Sequence, residues 1–571
     1  MRGSLLIGVI GLAALTLATG ARAAPNASQN PCDPLTYGAV GDGTIGTSNG
    51  TDNTTAIQSA IDACAAAGGG VVPLKVVNGQ GVYLTGPVQL QSHVHLLVDK
   101  GVTLLGTADE GRYHIAFIDY PAPGTGTAPF QPSQPYEALV FAFQADDTGI
   151  MGSGTIDGQG NVVAPNTNRP AGSGDAFTGG PFSWWTLPSP ATGVTLNGTS
   201  WYVAPFTDIP TSNGTPRPWL VEFYQCSDVT ITGITLTDSP MWTLVLRNDN
   251  NVTISNYHVQ NFVDGALTQP SATGPNTDGI DIVGSSSVSI DNIVISDGDD
   301  DISIKSGLPT DVINGMQGAP GDDPNEIGLP KMPTHDVQIS NMTFNGGHGI
   351  SVGSEASNGV FNVTITNVNA NGTSNGFRIK TGRTRGSFAT GDHDITVQNA
   401  KYVGVQQPIV MQDYYPASDG PNETGKTVQC TLTNTSNCID PPQQIQQFTP
   451  NVHDITINNM NATGATSQNL IVGVPEACIL GVVLNHVSIE TSTSGSSGAT
   501  GAFQLRNVTG TFTNVSVTST HSPPIPPFIV QENVQVTAQG SPGLEASVDT
   551  PPLVTSPAGA PCGTFALGST P

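Results

Sequence analysis

The sequence predicts an all-β fold: a single-stranded, right-handed parallel β-helix with a short N-terminal capping helix. One unit recurs along the chain, as in Val288-Ser-Ile-Asp-Asn-Ile-Val-Ile, Val337-Gln-Ile-Ser-Asn-Met-Thr-Phe and Val363-Thr-Ile-Thr-Asn-Val-Asn-Ala. Each copy alternates apolar and polar residues as a half-buried strand does, and each carries an asparagine near its middle. Matching first residues fall at Val229, Val252, Val288, Val337, Val363, Ile395, Ile455 and Val483. Separations of 23, 26 and 28 residues suit single coils of a solenoid, while those of 36, 49, 32 and 60 need loop insertions or unmatched intervening coils. Composition agrees. With 68 Gly, 44 Pro and 11% charged residues in 571, the chain suits short strands and turns rather than a helical bundle.

The chain begins with Met1-Arg2, an apolar run from Leu5 to Leu17, and Ala21-Arg22-Ala23. A basic start, apolar core and small-x-small site read as a signal peptide over 1–23, so an exported, extracellular or periplasmic protein is expected. No later run is apolar enough to span a bilayer. Next, Thr51-Asp-Asn-Thr-Thr55 offers cap residues to a helix with Ile57, Ala60, Ile61 and Cys64 at helical spacing, and Gly68-Gly-Gly70 stops it. Such a helix would cover the open edge of the first coil. Strands are expected at Val71-Val72, Gly81 to Thr85, Val94 to Val98 and Val102 to Leu105. The pattern lapses over 108–150, resumes at Met151 to Gly160 and lapses again over 186–216. Trp184 and Trp185 stand between, either lining a cleft or packing beneath a loop. Further insertions fall around 265–275, 307–334 and 413–450. Beyond 500 the strands thin to Val515-Ser-Val517 and Val534-Gln-Val536, giving one solenoid over 24–540 and a Pro/Gly-rich tail over 541–571.

Seven cysteines (32, 64, 226, 430, 438, 478 and 562) leave at least one unpaired within the chain. Cys32 with Cys64 could tie down the N-terminal end, and Cys430 with Cys438 could staple a loop. No CxxC or HExxH segment supports a structural zinc or a metalloprotease. Asn-x-Ser/Thr triplets such as those at Asn53, Asn197, Asn213, Asn251, Asn362, Asn422 and Asn507 are glycan acceptors only in a glycosylating compartment. A net charge of −27 argues against nucleic acid. Any anionic ligand would need local basic groups to offset that field.

The chemistry concentrates between 276 and 380, in Asn276-Thr277-Asp278, Gly298-Asp299-Asp300, Gly347-His348-Gly349 and Arg378-Ile379-Lys380. Asp299 and Asp300 follow Asp278 by 21 and 22 residues, about one coil, which would set Asp278 beside the pair. Neighbours on a regular strand point to opposite faces, so a shared site needs Asp299 and Asp300 at a strand end or bend, which Gly298 permits. Clustered carboxylates raise one another's proton affinity, and their titrations couple. Capping, solvation or calcium binding would also account for an Asp-rich turn. Asp322 and Asp323 lie in a Gly/Pro insertion and read as surface charge. Arg378 and Lys380 share one strand face and could clasp a carboxylate, Arg through paired donors and Lys as a point charge, unless nearby acids pair with them. Arg383 and Arg385 would extend that positive patch.

Taken in this order, the four segments resemble those of the polygalacturonases, pectin-hydrolysing glycoside hydrolases of family 28 whose fold is a pectin-lyase-like solenoid. The helix before the first strands and the Gly-rich Ile156-Asp157-Gly158 segment also resemble family features, over a span of about 35–500. The resemblance implies inverting hydrolysis of α-1,4-galacturonosidic bonds, with Asp299 as general acid and Asp278 and Asp300 holding and activating water. Inversion leaves room for that water, with carboxyls roughly 6.5–9.5 Å apart. It further implies that His348 orients Asp299, that Asn276 orients a carboxylate or sugar hydroxyl, and that Tyr414 lies at the sugar cleft, with its neighbour Tyr415 as the alternative. Arg378 and Lys380 would hold the galacturonate carboxylate. Neither a metal nor an organic cofactor is expected, the partner is pectic polysaccharide, and the protein is expected to act as a monomer at acidic pH. Competing readings are a rhamnogalacturonan or xylogalacturonan hydrolase, a calcium-dependent pectate lyase, and a polysaccharide-binding β-helix without turnover.

Overall fold

A computed structural model describes residues 30–109, 112–113, 138–162, 183–186, 194–196, 199–201, 217–261, 274–307, 332–383, 385–415, 442–492, 502–520, 522, 524–530, 533–544 and 562. The segment expected to be a signal peptide, most of the expected insertions, Asp322, Asp323, Cys430, Cys438 and most of the tail lie outside these residues.

Coil stacks on coil by parallel ladders, forming a 17-stranded sheet and a 12-stranded sheet. The chain is the expected right-handed parallel β-helix. The repeat read from the sequence is the true register: Val229 pairs with Val252, Val252 with Val288, Val288 with Val337, Val337 with Val363, Val363 with Ile395 and Ile395 with Ile455. These pairings are direct, so the long separations are insertions and no coil is skipped. Only the last match slips, since Val483 pairs with Thr456 across an irregular stretch.

The recurrent asparagine explains how one long strand, such as Val360–Asn371, serves two walls of the coil. Asn256, Asn292, Asn341, Asn367, Asn399 and Asn459 all adopt left-handed backbone, with φ between 51° and 60°. Asparagine tolerates that conformation better than other residues with a Cβ because its short amide bonds locally. Here the amides bond coil to coil: Asn367 donates to Asn341 at 3.0 Å, Asn399 to Asn367 at 3.2 Å and Asn459 to Asn399 at 2.8 Å. The corner turns without losing its ladder. Inside, like stacks on like, with Ile254, Ile290, Ile339, Ile365, Val397 and Ile457 in one buried column.

The capping helix spans Thr54–Ala66 and buries Ala56, Ile57, Ala60, Ile61 and Cys64. Asn53 precedes it without a side-chain cap; its buried amide instead bonds Val40 both ways and reaches Leu84. Asp52 caps the amide of Thr54 at 3.0 Å. Cys32 and Cys64 form the expected disulfide. A second, between Cys478 and Cys562, was not anticipated and ties the tail to the last coils. Cys226 is a buried free thiol, and burial chiefly pushes it up to about 12. Among the described residues no helix is long and apolar enough to cross a membrane.

Candidate active site

Three short strands of the 12-stranded sheet, Ile280–Val283, Ile302–Lys305 and Ile350–Gly353, stack beside Asn375–Lys380. Alternation sends Ile280, Ile282, Ile302, Ile304, Ile350, Val352, Phe377 and Ile379 into the core. The opposite face therefore carries Asp281, Ser303, Ser351 and Arg378 in one register row, with Val283, Lys305 and Lys380 along a second. All of these polar groups except Arg378 are themselves buried. They lie on the floor of the site, under one another's cover.

Asp278 precedes the first strand, while Asp299 and Asp300 occupy the bend between Ser286–Ser296 and Ile302–Lys305. The strand-end placement that the adjacent pair requires is what the chain adopts. Asp300 is fully enclosed: Lys380 donates at 2.7 Å, Ser351 at 2.9 Å and Ser303 at 3.3 Å, and Arg378 pairs with the same carboxylate. Burial alone would raise its proton affinity, but Lys380, Arg378 and His348 hold it far below the usual carboxylate range.

His348 Nδ1 lies 2.9 Å from Asp299 Oδ1 and 3.8 Å from Asp300 Oδ1. Burial raises Asp299, yet the charge and hydrogen bond of His348 outweigh it and leave the carboxyl below its ordinary value. The expectation that clustering lifts all three acids thus holds for one of them. Asp278 is driven well above the usual range by burial and by Asp281, Asp299 and Asp300, with Lys305 opposing them. The distances decide it: Asp299 has His348 Nδ1 at 2.9 Å and Asp300 has Lys380 Nζ at 2.7 Å, whereas Lys305 Nζ stands 3.8 Å from Asp278.

Asn276, with φ 53°, donates to Asp299 at 3.4 Å and accepts from Arg217 at 2.8 Å. Arg217 also donates to the carbonyls of Pro240 and Pro275, at 2.9 and 2.6 Å. Burial chiefly lowers it to about 9. Asp301, the third of the acid run, is buried and accepts from the Gly349 amide at 2.7 Å, so it holds the His348 loop.

Several expectations meet a different arrangement. Arg378 and Lys380 do share a face, but in the free protein both engage Asp300. Arg383 is paired with the buried Glu476, and Arg385 bonds Ser354 at 3.0 Å and approaches Glu355 at 3.8 Å, so neither adds unneutralised charge to a patch. Lys380 faces the ring of Tyr415 at 5.3 Å, while Tyr414 faces Arg383 at 5.8 Å. Adjacent tyrosines diverge, and Tyr415 is the one against the Asp300 pair. Trp184 and Trp185 pack inside, Trp185 donating to the Ser239 carbonyl at 2.8 Å. Trp242 instead lies at the floor, stacked on Trp219 at 5.1 Å with Lys305 Nζ 3.8 Å from its ring centre.

Arg217, Trp242, Asp281, Lys305 and Glu355 were not singled out in the sequence. For Asp281 and Lys305 a signal existed: both alternate with buried isoleucines on the strands that follow the acids. Asp299, Asp300 and His348 bring three ligating atoms within 4.8 Å of one another. Both oxygens of Asp300 are already taken by cations, so the cluster is built as an ion-pair network rather than a cation cage.

Against known families, residues 190–511 match the glycosyl hydrolases family 28 model. The chain is 28% identical over 369 residues to an endo-polygalacturonase of Pectobacterium carotovorum subsp. carotovorum, covering 65% of this chain and 74% of that one. It is 27% identical over 411 residues to a polygalacturonase of Ralstonia solanacearum, covering 67% and 66%. Among solved structures, a family 28 exopolygalacturonase of Yersinia enterocolitica aligns with a TM-score of 0.57 at 19% identity, covering 88% of this chain and 77% of that one.

Proposed function

Starting from a chain that belongs to glycosyl hydrolase family 28, the polygalacturonase family, we propose that it hydrolyses α-1,4-galacturonosidic bonds of de-esterified pectin with inversion. The observation that carries this reading is the unequal treatment of three neighbouring acids. Asp299 shares a hydrogen bond with His348, Asp300 is locked ionised by two cations, and Asp278 stands one coil away.

Asp299 is the general acid. In the free protein His348 keeps its carboxyl low; a galacturonate ring laid over the pair would exclude water and bring a second anion. Both changes raise carboxyl proton affinity and place the proton where the leaving oxygen can take it. Asp300 and Asp278 hold the attacking water, with Asp278 as the member able to accept its proton. Arg378 and Lys380 neutralise Asp300 and extend their remaining donors to the substrate carboxylate, beside Tyr415. Asn276 sets the rotamer of Asp299, itself held by Arg217. The reaction so drawn runs on protein groups alone. Met1 to Ala23 and the two disulfides support export, which gives the protein access to cell-wall pectin.

The test is to incubate the protein with polygalacturonate without calcium, beside Asp299→Asn, and follow product size and anomeric configuration by NMR. Saturated products of initially inverted configuration, lost in the variant, are expected. No release from polygalacturonate by the wild type would overturn the reading.

A further inference from the structure

Lys305 lies at the meeting point of three carboxylates. Its Nζ stands 2.9 Å from Asp281 Oδ1, 3.6 Å from Glu355 Oε2 and 3.8 Å from Asp278 Oδ2. Trp242 closes the remaining side at 3.8 Å, and the side chain is 6% exposed. A lysine whose charge is spent on three protein acids and an aromatic face, with so little surface open, is poorly placed to grip substrate.

From this geometry we infer that Lys305 is a positioning residue for the water-activating step: it holds Asp278 in its ionised, proton-accepting form. The inference rests on the assignment of Asp278 above. Two features of the site carry it. Among the described residues Oδ1 of Asp278 is buried without a hydrogen-bond partner, so no neutral donor of theirs stabilises charge on that oxygen. The groups around it are mostly anionic. Asp281 on the strand that follows it, Asp297, Asp299 and Asp300 on the next bend, and Glu355 beyond Lys305 all face this region. Against them stand Lys305 and Arg217, while Arg378 and Lys380 are committed to Asp300.

Electrostatics run the same way. Burial would strip Lys305 of its proton, but Asp281, Glu355, Asp278 and Asp300 outweigh that and keep it charged far above neutrality. Asp281, raised chiefly by burial to about 7, competes with Asp278 for the same ammonium. Glu355 is shared with Arg385, which leaves more of Lys305 for the two aspartates. Lys305 is thus the adjustable charge of the site, and the Asp278–Asp281 balance decides where the acid limb of activity falls.

The experiment compares pH–rate profiles of kcat and kcat/KM on polygalacturonate for the wild type, Lys305→Met, Lys305→Arg and Asp281→Asn, with thermal melts of each. Removing the ammonium should move the acid limb of kcat up by about one pH unit or more, because Asp278 then ionises later. Arginine should restore most of that shift. Asp281→Asn removes the competing acid and should move the limb down. A Lys305→Met protein that melts near the wild type but loses rate equally at all pH overturns the inference, as does one whose only change is a higher KM. Should Lys305→Met fail to fold, Asp281→Asn decides alone: a lowered limb supports the inference, and an unmoved or raised one sinks it. A wild type inactive on polygalacturonate instead overturns the catalytic assignment from which the inference starts.

Discussion

The two sheets of this solenoid share one interior and differ on their outer faces. Inward, both offer stacked Ile, Val and Leu, and both run as parallel ladders from coil to coil. Outward, the long-strand sheet carries uncharged amide ladders at its corners and a half-buried rail in which His335, Phe361, His393 and His453 stack at 4.6–5.1 Å. Each of those histidines bonds the aspartate that follows it, at 2.8–2.9 Å. The short-strand sheet and the bend that precedes it instead bury an ionisable network: Asp281, Asp300, Lys305 and Lys380. One face is wet and self-sufficient residue by residue. The other is dry, and its charges stand only as a network. Wet ion pairs are worth little and fail singly, whereas a buried pair that loses one partner strands the other.

Asp300→Ala should break the dry face most severely. Arg378 and Lys380 would be left without their common anion, costing about 3–5 kcal/mol in chemical denaturation besides abolishing turnover. A loss under about 1 kcal/mol would mean that the network is looser than the distances imply.

Asp392, buried at the start of its strand and accepting from the Val360 amide at 3.0 Å, brings the pH dependence of burial into the long-strand sheet. Burial chiefly raises it to about 7. The folded chain then holds its proton more tightly than the unfolded chain, whose carboxyl has a pKa of about 4. Its contribution is complete below about pH 4 and is lost as the pH climbs toward 7. Between pH 4 and 8 the wild type should therefore lose about 2–4 kcal/mol more stability than Asp392→Asn does. Parallel denaturation curves for the two proteins across that range would remove Asp392 from the account.

On the wet face, Asn367→Ala forfeits two amide bonds and puts an ordinary residue in left-handed backbone, for about 1–2 kcal/mol with kcat untouched. Glycine at the same place should recover part of the loss, since it bears the conformation freely. Smallest of all, His393→Leu should cost about 0.5–1 kcal/mol, the worth of ring stacking, and leave the pH–rate profile where it was. If either change cost as much as Asp300→Ala, the contrast between the faces would be mistaken.

The sequence by itself determined the solenoid. Val229 through Ile455 recur at equivalent places because the inside of every coil must be filled by similar apolar side chains, and similar filling leaves a period to read. It also determined the corners, since few residues besides asparagine tolerate left-handed backbone in a strand. Asp278, Asp299, Asp300 and His348 were legible through resemblance, and the need for a bend at the adjacent pair followed from strand alternation alone. Tertiary structure decided the rest. Which tyrosine meets Lys380, whether Arg383 is spent on Glu476 ninety-three residues away, and which carboxylates share Lys305 all depend on contacts between coils separated by insertions of differing length. Proton affinity is decided at the same level, because it follows from what is buried beside a carboxyl and not from its neighbours in the chain. Three aspartates, two of them adjacent in the chain, are shifted in opposite directions for that reason: Lys380, Arg378 and His348 bond two of them directly, and the third faces a lysine at 3.8 Å that it shares with Asp281 and Glu355.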